Sequence, residues 1–301
     1  MSAVVSVPRP EEIDLIISDV DGTLLDSHHR LHPRTYHALD WLRRNKPQLP
    51  IVIATGKQRS AVGEIRTPLN LDVFPASHLN GCVVYQPHGK VQVEVGLDLE
   101  ILIKLYTEYH AAQVTMLYYD RDRVYEVPGS DGLVWGEKMR GFGEHVHTVD
   151  ASFIDKIKDG SVNIIKAAIC HSAGARMESF RASLKSEYSA TAFTLTQAVP
   201  FCLELIPTTG SKGIALAKII GTSLDPRRVI AFGDGENDVS MFKVAGYSVA
   251  MANAMTVAKE NATHNTLSSD EGGVGAFLEK IYGIEYSEKS YDYWLNRPVL
   301  A

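Results

Sequence analysis

Residues 13–23 read Ile13-Asp14-Leu15-Ile16-Ile17-Ser18-Asp19-Val20-Asp21-Gly22-Thr23. A nearly continuous apolar and β-branched run with little polar alternation predicts a strand covered on both faces. It stops on two carboxylates and a glycine. Two runs of the same kind follow: Pro50-Ile51-Val52-Ile53-Ala54, stopping at Thr55-Gly56, and Arg228-Val229-Ile230-Ala231-Phe232, stopping at Gly233-Asp234. Between them lie helical patterns: Pro33 to Arg44 with Tyr36, Leu39, Trp41 and Leu42 apolar, and Ser211 to Ile220 with Ile214, Leu216, Ala217 and Ile220. Strand, helix, strand is the grammar of a parallel α/β sheet. Ligands of such sheets collect beyond the carboxyl ends of the strands, so Asp19, Thr55 and Asp234 are expected to converge on one site.

The middle of the chain has a different character. From about Gly96 to Cys202 the pattern predicts a helix at Leu97 to Ala111, strands at 114–119 and 123–127, and a glycine-rich loop over 129–143. A strand at 162–170, a helix at 173–186 and a strand at 191–196 follow. This is an α+β segment, residues 96–202, inserted into a core formed by 1–95, with its hairpin, and 203–301, with a C-terminal tail. The core is expected to resume at Phe201-Cys202-Leu203-Glu204-Leu205, with Glu204 on the outer face or at a sheet edge. The tail carries Tyr286, Tyr291, Tyr293 and Trp294, expected to pack back on their own domain. There is no internal repeat and no low-complexity tract.

Composition narrows the class. Of 301 residues, 45% are hydrophobic and 22% charged, as in ordinary globular proteins, which excludes a disordered, collagenous or coiled-coil chain. Thirty Lys and Arg against thirty-six Asp and Glu give a formal charge of −6, with no basic run long enough to neutralise a polyphosphate backbone, so nucleic acid is excluded as a partner. No stretch approaches the roughly 18 consecutive apolar residues of a membrane helix, and residues 1–10 lack the features of a signal peptide. Cys82, Cys170 and Cys202 are odd in number and set among apolar residues, as small buried thiols of a reducing compartment. The expected location is the cytoplasm, and the sequon Asn261-Ala262-Thr263 is then without meaning.

Four motifs carry chemistry. Asp19 and Asp21 lie two apart, and the period-two alternation of a strand aims both at one face. Gly22 permits the sharp turn that frees backbone amides to face an anion. Two carboxylates in unequal environments suit a stepwise transfer, one as nucleophile or metal ligand, the other as acid and then base. Thr55 and Gly56 close the second strand with a hydroxyl and an amide suited to phosphoryl oxygens. Lys212 opens a helix, where its ammonium adds to the positive dipole end and makes an anion site. Gly233-Asp234-Gly235-Glu236-Asn237-Asp238 offers three carboxylates and an amide in five residues, an oxygen-rich set suited to Mg²⁺.

Together these motifs, Asp19 to Thr23, Thr55, Lys212 and Gly233 to Asp238, resemble those of the haloacid dehalogenase (HAD) superfamily. Asn80-Gly81, the strand pattern Tyr247 to Met251 followed by Asn253-Ala254, and the long insert are similar to the Cof-type branch. That branch has a Rossmannoid core and an α/β cap of the C2B kind, and the similarity spans about residues 12–283. The resemblance implies a Mg²⁺-dependent phosphatase acting on a small phosphorylated metabolite such as a sugar or polyol phosphate. It implies Asp19 as nucleophile and Asp21 as acid and base, with Thr55 and Lys212 holding the phosphoryl group. Gly22, Gly56, Lys57, Asn80 and Gly81 are implied on the substrate side. Asp234 is implied to hold the metal with Asp19 and the Asp21 carbonyl, while Asn237 and Asp238 complete the metal shell or orient Lys212.

Lys57 stands where many Cof-type chains have Arg, and the two are not equivalent at a bidentate phosphate site. A lysine there is similar to the mannosyl-3-phosphoglycerate phosphatases, and a phosphomannomutase-type transferase uses the same carboxylate pair. A phosphate-ester sensor without turnover is a further alternative from another class. In the cap, the stretches 121–123 and 135–140 are candidates for specificity. His28, His29 and His32 and the pair His145 and His147 form no complete ligand set and are expected at the surface or in the cap.

Overall fold

The structure, a computed structural model, describes residues 6–172 and 174–286. Its centre is a five-stranded parallel sheet in the order His264–Asn265, Tyr247–Ala250, Val229–Gly233, Leu15–Ser18, Ile51–Ile53. Leu15–Ser18 lies in the middle, with Ser18 in register with both Phe232 and Ile53. Ile16, Ile17, Ile230 and Ala231 are wholly buried, which is why these strands read as unbroken apolar runs. Each such isoleucine contributes about 2 kcal/mol by leaving water. Helices Pro33–Asn45 and Gly273–Tyr282 pack together on this sheet through Tyr36, Leu39, Phe277 and Leu278, all of which belong to its apolar core. The α/β core expected from the sequence is present.

The inserted segment builds a second sheet of six strands, in the order Thr194–Val199, Cys202–Ile206, Lys166–Cys170, Thr115–Tyr119, Val124–Val127, Val146–Thr148. Helices Leu99–Ala111, Phe153–Lys158 and Ala175–Glu187 cover one face through Leu105, Tyr106, Phe153 and Leu184. The other face shares an apolar cluster with a small three-stranded sheet, Ala76–His78, Val83–Tyr85 and Val91–Glu94: Leu79, Cys82 and Val83 join Leu117, Tyr119 and Ala168. Among the described residues no helix is long and apolar enough to cross a membrane.

Two expectations need correcting. Cys202–Ile206 does not re-enter the parallel sheet; it pairs antiparallel with Lys166–Cys170 and with Thr194–Val199. The expected boundary at 202/203 therefore cuts through a strand of the second sheet. A buried strand in the middle of either sheet has the same apolar run, so the sequence does not distinguish them. The glycine-rich stretch 129–143 is also not all loop, since it holds the helix Val134–Gly141, whose Trp135 and Met139 are buried. Of the tail aromatics, Tyr286 lies against His37, with ring centroids 6.0 Å apart, and under the Arg34 guanidinium. Tyr291, Tyr293 and Trp294 fall outside the described residues. All three cysteines are buried and free.

Candidate active site

The carboxyl ends of the parallel strands meet as the sequence suggests. Asp19 leaves its strand with its N–H donating to the carbonyl of Phe232 at 3.0 Å, and the residue is 6% exposed. Lys212, wholly buried at the start of the helix Lys212–Ile220, places Nζ 2.7 Å from Asp19 Oδ1 and 2.6 Å from Asp238 Oδ1. Ser211 caps this helix by accepting from Ile214 N–H at 3.1 Å, which fixes where the lysine begins. Asp238 Oδ2 accepts the N–H groups of Asp234 and Gly235, each at 2.8 Å. Both oxygens of Asp238 thus have partners within the protein, Oδ1 in Lys212 and Oδ2 in the amides of the Gly233–Gly235 turn.

Asp234 accepts the Thr23 hydroxyl at 2.9 Å. Oxygens of Asp19, Asp234 and Asp238 lie within 4.8 Å of one another, a grouping that could hold a metal ion. Burial, and then repulsion by Asp19 and Asp238, pushes the Asp234 carboxyl well above the ordinary carboxylate range. Burial likewise pushes Asp19 up to about 7 against the pull of Lys212. One lysine does not neutralise the cluster, and a hard divalent cation with oxygen ligands fits it. Gly22, at φ +72°, is required here, since a β-carbon would collide with the Asp234 carboxylate. Asn237 Oδ1 is buried without a hydrogen-bond partner beside this turn, a further oxygen free to face a cation.

Asp21 is in a different environment. Its Oδ1 meets Lys57 Nζ at 2.7 Å and His29 Nδ1 at 3.7 Å. Burial opposes ionisation, but His29 and Lys57 together hold this carboxyl below its ordinary value. Lys57 N–H donates to Thr55 Oγ1 at 3.1 Å, so the Thr55 hydroxyl is fixed over the turn that ends its strand. Asp19, Asp21, Gly22, Thr55, Gly56, Lys57, Asp234 and Asn237 all line one cavity of about 270 Å³. That is just below the ~300–1,000 Å³ typical of ligand pockets, and suits a small metabolite.

Asn80 and Gly81 do not line this cavity and are corrected here. Asn80 Nδ2 donates to Glu204 Oε2 at 2.7 Å and its Oδ1 accepts from Asn237 Nδ2 at 3.0 Å. Gly81 packs against the backbone of Ser211, where a β-carbon would not fit. Both residues support the floor. An Asn-Gly pair signals a tight turn in sequence without revealing which side of it faces the ligand.

The sequence reading missed the buried charges of the second sheet. Glu204 is not at an edge or outer face: it is 6% exposed, lines the cavity, and pairs with Lys166 Nζ at 2.5 Å. Lys166 also donates to the Gly56 carbonyl at 2.8 Å, tying the inserted domain to the core. Lone charges inside apolar strands were the available signal, because buried charges almost always have partners. Lys166→Met is expected to destabilise the protein by about 3–5 kcal/mol, since it strands Glu204. Urea denaturation checks this, and adding Glu204→Leu should recover most of the loss. Of the cap stretches expected to read substrate, Arg121 instead pairs on the surface with Glu94 and Asp122. The stretch 135–140 supplies Met139 to the cavity, followed by Phe142 and Glu144. His29, from the core, packs edge-on against Phe142 with centroids 4.3 Å apart.

Comparison with known proteins identifies the family. Residues 16–278 match the family described as haloacid dehalogenase-like hydrolase. The chain is 40% identical over 301 residues to a Schizosaccharomyces pombe protein named as an uncharacterized hydrolase, covering 96% of this chain and 97% of that one. It is 25% identical over 289 residues to a Bacillus subtilis 5-amino-6-(5-phospho-D-ribitylamino)uracil phosphatase, covering 90% and 99% of the two. The solved structure of a HAD subclass IIB sugar phosphatase superposes with a TM-score of 0.75 at 21% identity, over 90% of this chain and 99% of that one, a likeness of fold.

Proposed function

The chain belongs to the haloacid dehalogenase-like hydrolases as a phosphatase of the Cof type, and from this premise we infer that it hydrolyses small sugar or polyol phosphomonoesters with Mg²⁺ bound, through an aspartyl-phosphate. The observation that carries this reading is the buried Lys212 ammonium between Asp19 and Asp238, behind a cavity that Asp19 and Asp234 line. In this reading residues 6–95 and 207–286 are the catalytic core and 96–206 the cap. The free, buried cysteines fit a reducing cytoplasm.

Asp19, Asp234 and the Asp21 carbonyl would hold Mg²⁺, with Asn237 Oδ1 beside them. The cation supplies positive charge between an anionic nucleophile and an anionic phosphoryl group. An Asp19 carboxylate oxygen attacks phosphorus as the ester P–O bond breaks, and Asp21 gives its proton to the departing alkoxide. Water then attacks phosphorus, Asp21 takes that proton, and the Asp19 O–P bond breaks to free inorganic phosphate. Thr55 and Lys212 hold the phosphoryl oxygens. Lys57 keeps Asp21 ionised in the resting protein, the form the second step uses. A phosphoryl group competing for Lys57 leaves Asp21 free to be protonated for the first.

Purified protein is expected to release inorganic phosphate from p-nitrophenyl phosphate in Mg²⁺, and EDTA to lower the rate by on the order of 10² or more. Free phosphate as main product separates hydrolysis from a mutase that returns it to a sugar. A rate indifferent to EDTA, or no turnover with Mg²⁺ present, would overturn the reading.

A further inference from the structure

The lining of the cavity includes a carboxylate, Glu144, that phosphoryl transfer does not use. Glu144 follows the helix Val134–Gly141 and a turn at Gly143, whose φ of +84° lets the chain double back. Its N–H donates to the Met139 carbonyl at 3.1 Å, which fixes the residue in place. The side chain lines the cavity at 7% exposure, and its Oε2 has no hydrogen-bond partner. A buried carboxyl oxygen without a donor is costly, and native structures keep one where something else completes it. Burial, only partly offset by Lys166 and Lys57, pushes this carboxyl up to about 7.

The surroundings limit what the missing donor is. Lys57, Lys166, Asp21 and Glu204 line the same cavity, but Lys57 is held by Asp21 at 2.7 Å and Lys166 by Glu204. Both nearby cations are thus already paired, and a hydroxyl supplies the missing donor without adding a charge to this set. Met139, Phe142, Val199 and Cys202 line the same cavity, giving apolar surface for the carbon face of a polyhydroxylated chain or ring.

We propose that Glu144 determines specificity by accepting a hydrogen bond from a hydroxyl of the leaving group, so that the protein selects polyol or sugar phosphates over plain alkyl phosphates. This rests on the phosphatase reading above. The test compares sorbitol phosphorylated on its terminal carbon with hexyl phosphate, esters of equal length that differ in hydroxyls, and includes p-nitrophenyl phosphate as a reference. Wild type is expected to favour the sorbitol ester in kcat/KM by roughly 10 to 10²-fold, the range one buried hydrogen bond supplies. Glu144→Leu should erase most of that preference through KM, leaving hexyl and p-nitrophenyl phosphate turnover little changed. Glu144→Gln, which keeps an acceptor, should restore much of it. A wild type that treats the two esters alike overturns the proposal whatever the variants do, as does Glu144→Leu lowering all three substrates together. Turnover of none of the three by wild type overturns the phosphatase reading itself, and this proposal with it.

Discussion

Asp19→Asn lowers turnover by on the order of 10⁴-fold or more and leaves the protein folded, if Asp19 is the attacking group. The substitution keeps the shape of the side chain but removes the anionic oxygen that forms the bond to phosphorus. The fold has reason to survive. Lys212 retains Asp238 Oδ1 at 2.6 Å, and the cluster loses one of its crowded negative charges. Burial and mutual repulsion push both Asp19 and Asp234 up, so removing that charge relieves repulsion as well as removing an ion pair. Rate assays with p-nitrophenyl phosphate beside a thermal melt check both halves. Wild-type turnover in the folded variant contradicts the assignment.

Lys212→Met is the second large effect, and it falls on stability as well as rate. Lys212 is wholly buried between two carboxylates, and burial is more than offset by Asp19 and Asp238, which raise its pKa above the ordinary lysine value. Taking away one partner of such a buried group costs about 3–5 kcal/mol, because the anions left behind have neither water nor a cation. The denaturation midpoint should fall accordingly. Mg²⁺ should recover part of the loss, since a ligand that binds only the folded state stabilises it. The rate should fall by on the order of 10³, as expected when a cation aimed at developing charge is deleted. A variant with the wild-type midpoint and wild-type kcat/KM would show that this lysine neither holds the site together nor serves the reaction.

The convergence of the strand ends was legible because of how parallel sheets bury their strands. Leu15–Ser18, Ile51–Ile53 and Val229–Gly233 are covered on both faces, so polar residues appear only where the chain leaves the sheet. Asp19, Thr55 and Asp234 therefore stood out in sequence and meet in space. The role of Asp238 was not legible. Its sequence neighbours look like a metal loop, and the pairing of its two oxygens with Lys212 and with the Asp234 and Gly235 amides is visible only in space.

The second domain was harder to read for the opposite reason. Its sheet is antiparallel apart from the last pair, and Cys202–Ile206 lies in its interior with an apolar run that matches the core strands. Lys166 and Glu204 stand as lone charges inside two separate apolar strands, and Glu144 follows a turn in a third segment. Their significance is pairwise. Lys166 neutralises Glu204 across neighbouring segments, Asn80 and Asn237 extend that network into the core, and Glu144 is left without a donor. No periodicity encodes a contact of that kind.

Which atom receives the phosphoryl group decides the mechanism. Wild-type protein turning over a radiolabelled phosphoester in Mg²⁺, quenched in acid and digested, should yield an acyl phosphate on the peptide that contains Asp19. Label on a peptide lacking Asp19, or turnover with no labelled carboxylate under a quench that preserves acyl phosphates, would contradict it.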